Sequence, residues 1–167
     1  ALEALCSSMA AKKNHLLWDA QIHIQPDMPL SLLKLMKQTG FFHGFVGLES
    51  GSAIVLKKMK KKYSPEDALI FFEKMKKAKI FFEISLIVDY PGETEKEFFE
   101  TVDFIKHNKN LIPKIAQINP FIPLPGTPLE KIEKKDENVS KEKIKYILKT
   151  AKENQIPYTD SYILNLK

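Results

Sequence analysis

The sequence predicts an α/β fold in which about four parallel strands form a partial (β/α) barrel. Three observations carry that prediction. Segments with a two-residue hydrophobic period alternate with segments of helical period from Trp18 to Asn154. Each strand-like segment keeps polar residues on one face, whereas strands buried on both faces read as unbroken apolar runs. A barrel accounts for this if helices cover the apolar face and the polar face lines a lumen. An open sheet with one hydrated edge accounts for it as well. Third, the run Gly47-Leu48-Glu49-Ser50-Gly51-Ser52 closes an apolar strand and opens a helix. That is where α/β proteins place ligands.

The elements follow in order. Residues 1–13 lack Gly and Pro and read as a helix. From Leu16 to Gln25 the chain alternates strictly, with Trp18, Ala20, Ile22 and Ile24 opposite Asp19, Gln21 and His23. Asp27 and Pro29 start a helix whose Leu32, Leu33, Leu35 and Met36 share a side, with Gly40 as its cap. The second strand spans His43 to Glu49. Ser52 is placed as the N-cap of the next helix, which runs into Lys57-Lys58-Met59-Lys60-Lys61-Lys62. Ser64, Pro65 and the acids after them start another helix that buries Ala68, Leu69, Phe71, Phe72 and Met75.

The third strand, Ile80 to Val88, sets Phe82, Ile84, Leu86 and Val88 against Glu83, Ser85 and the following Asp89. Tyr90-Pro91-Gly92 turns the chain, and Thr94 with Glu97 forms a capping box for a helix packing through Phe98, Val102, Phe104 and Ile105. The fourth strand, Ile115 to Asn119, turns Gln117 and Asn119 away from Ala116 and Ile118. It exits into a stretch too rich in proline for a helix or central strand. Ser140 is placed as the cap of a last helix reaching about Asn154 through Ile144, Ile147, Leu148 and Ala151. The tail from Ile156 has no clear period beyond a short extended segment. Residues 1–138 are read as the barrel part and 139–167 as a C-terminal helix and tail of the same domain.

Composition limits the chemistry. At 167 residues, 44% hydrophobic and 28% charged, the chain has the makeup of one soluble globular domain. No apolar run is long enough to span a membrane. A single cysteine, Cys6, excludes an internal disulfide, fits a reducing cytoplasm, and excludes a cysteine-only metal or cluster site made by this chain alone. All 26 basic residues are lysine, so no guanidinium fork is available for phosphate or guanine. The lysine run has no interleaved aromatics and reads as a solvated helix end, which disfavours a nucleic-acid partner. His15, His23, His43 and His107 lack zinc-ligand spacing, and no metal site is assigned. Ser50 lies in Glu-Ser-Gly order and not in a GxSxG elbow, so no catalytic residue is assigned either.

Four motifs, taken together, resemble a known family. They are Gly47-Leu48-Glu49-Ser50-Gly51-Ser52, Leu56-Lys57-Lys58-Met59-Lys60-Lys61, Tyr90-Pro91-Gly92-Glu93-Thr94, and the run from Asn119 through Pro120-Phe121-Ile122-Pro123-Leu124-Pro125-Gly126-Thr127-Pro128. In this order they resemble the C-terminal part of a radical S-adenosylmethionine (SAM) domain, particularly members found with cobalamin-binding domains. The resemblance implies that these strands are the third to sixth of a six-stranded partial barrel, with SAM across their C-terminal ends. It implies that Glu49 and Ser50 contact the ribose and methionyl parts of SAM and that Ile87 packs on the adenine. By the same resemblance, Asn119 to Phe121 meet the adenine edge. Gln21, His23, Asp89 and Gln117 are the candidates for the substrate side of the lumen.

The sequence departs from the family pattern in ways that bear on activity. The family binds a 4Fe-4S cluster through CxxxCxxC after its first strand, and this chain contains neither the motif nor that strand. Asp89 stands where glycine is usual, and His23 where arginine is common. The expectation is a piece of a longer enzyme, favoured by a start at Ala1 without Met, or a degenerate relative. SAM and the cluster are the implied cofactors, with cobalamin as an option in a longer protein. The chain alone is then inactive, and its natural partners are the missing part of its own domain and an unknown substrate. A strand edge at Leu16 to Gln25 left open in this way favours covering or self-association. The alternative function is a non-catalytic fragment that binds a nucleotide-like ligand or a protein.

Overall fold

The computed structural model describes residues 1–12, 16–132 and 137–159. The elements are α1 (Leu2–Ala11), β1 (Trp18–Ile22), α2 (Leu30–Gln38), β2 (Phe41–Glu49), α3 (Ala53–Lys58), α4 (Pro65–Lys77), β3 (Phe81–Val88), α5 (Glu95–His107), β4 (Ile115–Pro120) and α6 (Glu137–Glu153), with a 3-10 turn at Lys109–Leu111. The four strands pair in the order β1-β2-β3-β4, all parallel. The strand–helix alternation read from the sequence is therefore the observed topology.

One parity of strand residues joins the helices in a single core. Ala20, Ile22, Val46, Leu48, Phe82, Ile84, Leu86 and Ile118 pack with Leu33 and Met36 of α2, Phe71 and Phe72 of α4, Val102 and Ile105 of α5, and Ile144 and Ile147 of α6. Phe72 and Phe82 bring their rings to 4.9 Å between a helix and a strand. Full burial of side chains of this size stabilises by about 1.5–3 kcal/mol each. The other parity carries Asp19, Gln21, His43, Phe45, Glu83, Ser85, Gln117 and Asn119, which register pairing sets in rows across the sheet. Trp18 belongs to the core parity. Its ring lies 4.4 Å from that of Phe41 and its indole N–H donates to the Thr39 carbonyl at 3.0 Å.

Gly40 ends α2 with a backbone φ of +92°, and a Cβ there would lie 1.8 Å from the Leu16 carbonyl oxygen. Only glycine allows that crossing, after which the Gly40 carbonyl accepts the first β1 amide, that of Trp18, at 3.1 Å. The expected capping box of Thr94 with Glu97 forms, and Ser64, expected as an N-cap, makes a second one with Asp67. At the far edge, chain 157–159 pairs with Ile115 of β4: Ile115 N–H donates to the Pro157 carbonyl and Thr159 N–H to that of Ile115. The extended tail is thus seen up to residue 159, and residues 160–167 lie outside the described ones.

Three expectations are corrected. Ser52 makes no side-chain cap for α3, because its hydroxyl donates to Glu100 at 2.5 Å. Ser140 is inside α6, which already runs from Glu137, and its hydroxyl donates to Asp89 at 2.6 Å. Asp89 is therefore turned toward the helical layer and is not one of the residues lining the polar face. It is 4% exposed, with Lys143 2.7 Å from its other carboxylate oxygen. Its φ of +60° explains why glycine suits this position, and Asp is among the residues that tolerate it.

Candidate functional site

The site is built on the C-terminal ends of β2, β3 and β4. At the end of β2 the pairing with β3 shifts register between Gly47 and Glu49. Glu49 turns into the left-handed region at φ +62°, which swings its carboxylate back over Gly47. A Cβ on Gly47 would lie 2.6 Å from Glu49 Oε1, so that glycine leaves the carboxylate its place. Lys61 Nζ pairs with Glu49 Oε1 at 2.8 Å, and Tyr63 donates its hydroxyl toward the Gly47 and Leu48 carbonyls at 2.9 and 3.2 Å. Burial, reinforced by the Glu49 charge, pushes the Tyr63 phenol far above its usual range, so it remains a donor.

Behind this turn, Ser50 and Gly51 are fixed to α5. Ser50 is fully buried, and its hydroxyl lies 2.9 Å from that of Thr101 and accepts the Ser52 amide at 3.1 Å. Gly51 N–H donates to Thr101 Oγ1 at 3.0 Å. The Ser50 side chain, for which the resemblance implies a SAM contact, is thus buried and organises the turn. Replacing Thr101 with the isosteric valine strands the Gly51 amide and the Ser50 hydroxyl. A loss of about 2 kcal/mol is expected, read as a lowered urea midpoint at unchanged slope.

The remaining residues lie on the polar face or its rim. Gly47, Ser85 and Gln117 form one row of register partners, and Ile87 with Asn119 forms the next. Gln117 and Asn119 are linked at 3.3 Å, with Gln117 exposed and Asn119 half-buried. Phe121 has left the sheet, donates its amide to the Val88 carbonyl at 2.8 Å, and meets Tyr90 edge-on at 5.1 Å. Gln21 and His23 are exposed at the β1 side. The structure thus gathers Glu49, Ile87, Gln117 and Asn119 on neighbouring strand ends, leaves Gln21 and His23 at the sheet edge, and ties Ser50 to α5 and Asp89 to α6.

This arrangement offers a fixed carboxylate acceptor, an apolar side chain and two amides, a donor set that fits a nucleoside carrying an amino-acid chain. The chain's one cysteine is buried in α1, and no group of three metal-ligating side chains occurs among the described residues. A 4Fe-4S cluster does not fit the residues of this chain alone. Sequence reasoning missed Lys61, Tyr63 and Thr101. The first two sit in or beside a lysine run that looked solvated, and no local pattern ties any of them to Gly47–Ser52.

Comparisons with known proteins agree with this geometry. The threonylcarbamoyladenosine tRNA methylthiotransferase MtaB of Bacillus subtilis (strain 168) is 34% identical over 123 residues, which are 72% of this chain and 27% of that protein. The threonylcarbamoyladenosine tRNA methylthiotransferase of Homo sapiens is 36% identical over 107 residues, 63% of this chain and 18% of that one. The chain therefore spans about a quarter or less of these relatives. Among solved structures, coproporphyrinogen III oxidase (HemN) from Escherichia coli, a radical SAM enzyme, matches 92% of this chain with TM-score 0.72 at 12% identity, over 37% of its own length. The cobalamin-dependent radical enzyme OxsB, solved with aqua-cobalamin and S-adenosylmethionine, matches 89% of this chain with TM-score 0.59 at 16% identity, over 20% of its length. These likenesses show that the four strands have the fold of part of a radical SAM barrel. The family pattern of the Radical SAM superfamily matches residues 5–105, more than half of the sequence, and with the strand-end turn at Glu49 in place the chain belongs to that superfamily.

Proposed function

We propose that this chain is the SAM-binding, substrate-side portion of a radical SAM enzyme that transfers a group to an RNA nucleoside. The observation that carries the cofactor part is the Glu49 turn: a carboxylate held by Lys61 at 2.8 Å, over a glycine, at the end of a central strand. A sugar diol donates well to such a fixed acceptor, and Ile87 and Asn119 on the next strands suit the flat face and the edge of adenine. The substrate class is supported by the tRNA methylthiotransferases among the relatives. The lysine run by itself disfavours a nucleic-acid partner, and the relatives weigh against that reading.

In this reading the family's cluster, which the residues of this chain alone do not hold, would supply the electron for cleaving SAM. The present residues bind and orient. Glu49 fixes the ribose, Ile87 and Asn119 fix the adenine, and the β2 and β3 ends shield the site from water. Binding of S-adenosylhomocysteine, measured by calorimetry, tests this without the cluster. Glu49→Gln is expected to weaken it by roughly tenfold or more, since hydrogen bonds to a charged acceptor contribute about 1.5–3 kcal/mol. Binding equal in the variant and the parent, or absent in the parent, would sink the reading.

A further inference from the structure

We propose that the cleft between the end of α3 and the proline-rich segment after β4 binds an unpaired base of an RNA strand, beside the position where the reacting nucleoside sits. The cleft holds about 310 Å³, at the lower end of the ~300–1,000 Å³ usual for small-molecule sites. Its walls come from three separate segments: Met59 and Lys60, then Tyr90, then Phe121, Ile122 and Leu124. It is predominantly apolar and is lined by the segments that leave β3 and β4, the latter being the strand of Asn119.

Three observations select the occupant. Tyr90 and Phe121 supply aromatic surface where the chain leaves β3 and β4, with their rings edge-on at 5.1 Å. Ile122 and Leu124 are 50% and 61% exposed at the rim, an apolar surface larger than isolated side chains need. The third is charge. The ammonium groups of Lys57, Lys60 and Lys62 make no ion pair or hydrogen bond among the described residues, while that of Lys58 is committed to the Gly92 carbonyl and Glu97, and that of Lys61 to Glu49. Of the three uncommitted lysines only Lys60 lines the cleft, and flat apolar surface with an uncommitted ammonium group in its wall is how proteins hold single-stranded nucleic acid: bases stack and phosphates pair. In sequence the lysine run has no aromatics. Folding brings two to it from residues about 30 and 60 positions away, a joining of elements that loops at sheet ends routinely make.

The proposal rests on the RNA-substrate reading and is tested apart from the cofactor part of it. The probe is a fluorescent ten-nucleotide RNA of mixed sequence without secondary structure, followed by anisotropy on the full chain. Leu124→Glu and Lys60→Glu are both exposed and outside the SAM contacts, and Lys149→Glu on α6 makes the same charge change as Lys60→Glu elsewhere. Affinity is expected to fall about tenfold for Leu124→Glu and Lys60→Glu and to change less than twofold for Lys149→Glu, with a salt slope shallower by about 0.7 for Lys60→Glu. S-adenosylhomocysteine binding should be unchanged in all three, which separates failure of this cleft from failure of the cofactor site. No RNA binding by the parent, or equal weakening by all charge variants, overturns the proposal. So does a dimer in light scattering that Leu124→Glu dissolves, because the cleft would then be an interface between copies.

Discussion

Replacing Lys143 by methionine is expected to destabilise the protein by about 3 kcal/mol or more, the range seen when one partner of a buried ion group is removed. The Lys143 ammonium stands 2.7 Å from Asp89 Oδ1 and 2.7 Å from Glu93 Oε2, and both carboxylates are 2% exposed. Glu93 also accepts the Asp89 amide at 2.8 Å, and Lys143 sits 5.0 Å above the Phe98 ring. The cation therefore ties the turn after β3 to α6 and α5 together. Without it, two like charges face each other at a buried turn that has lost its shared cation.

The same group sets a pH dependence. Burial pulls the Lys143 ammonium toward neutrality, but hydrogen bonds and charge from Asp89 and Glu93 outweigh it, so it titrates above its usual 10.5. A cation with a raised folded value contributes fully below the unfolded value and loses the contribution as pH climbs through the folded one. Urea midpoints of the parent should fall above pH 10.5 by more than those of Lys143→Met. Parallel decline in the two proteins would reject this origin of the alkaline loss.

Gly51→Ala is expected to cost about 3 kcal/mol, the upper part of the range for inserting a methyl into closed packing. An added Cβ would meet Phe104 Cβ at 2.6 Å and Thr101 Cα at 2.8 Å, both rigid parts of α5. Gly51 is not among the positive-φ glycines, so the cost is steric contact between the turn and the helix. Gly44→Ala is the comparison. There the nearest atoms are the Met75 methyl at 3.1 Å and the Ile22 Cδ1 at 3.3 Å, side-chain ends that can yield, and a change below about 1 kcal/mol is expected. Because the Gly51 turn also places Glu49, the variant should lose S-adenosylhomocysteine binding even where it remains folded. Equal urea midpoints for the two alanine variants would show that α5 yields at this contact.

By itself the sequence determined the order of elements, the polar and apolar faces, the capping box of Thr94 with Glu97 and the motif at Gly47–Ser52. These are local properties: a two-residue period assigns a face whatever the strand later pairs with, and Thr94-to-Glu97 spacing closes a helix end within one turn. It also placed Glu49, Ile87 and Asn119, to which the family resemblance gives SAM contacts, at or near the ends of neighbouring strands. What only the tertiary structure decided are pairings between distant side chains. The Ser50 hydroxyl is joined to Thr101, 51 residues on, and Asp89 was taken from the lumen by Ser140 and Lys143, 51 and 54 residues on. Lys61 left a run that looked uniformly solvated to hold Glu49, while Lys60 stayed in water beside two aromatics from other loops. A buried hydroxyl or carboxylate must find a partner, and which partner it finds depends on the packing of whole helices, which no local period encodes.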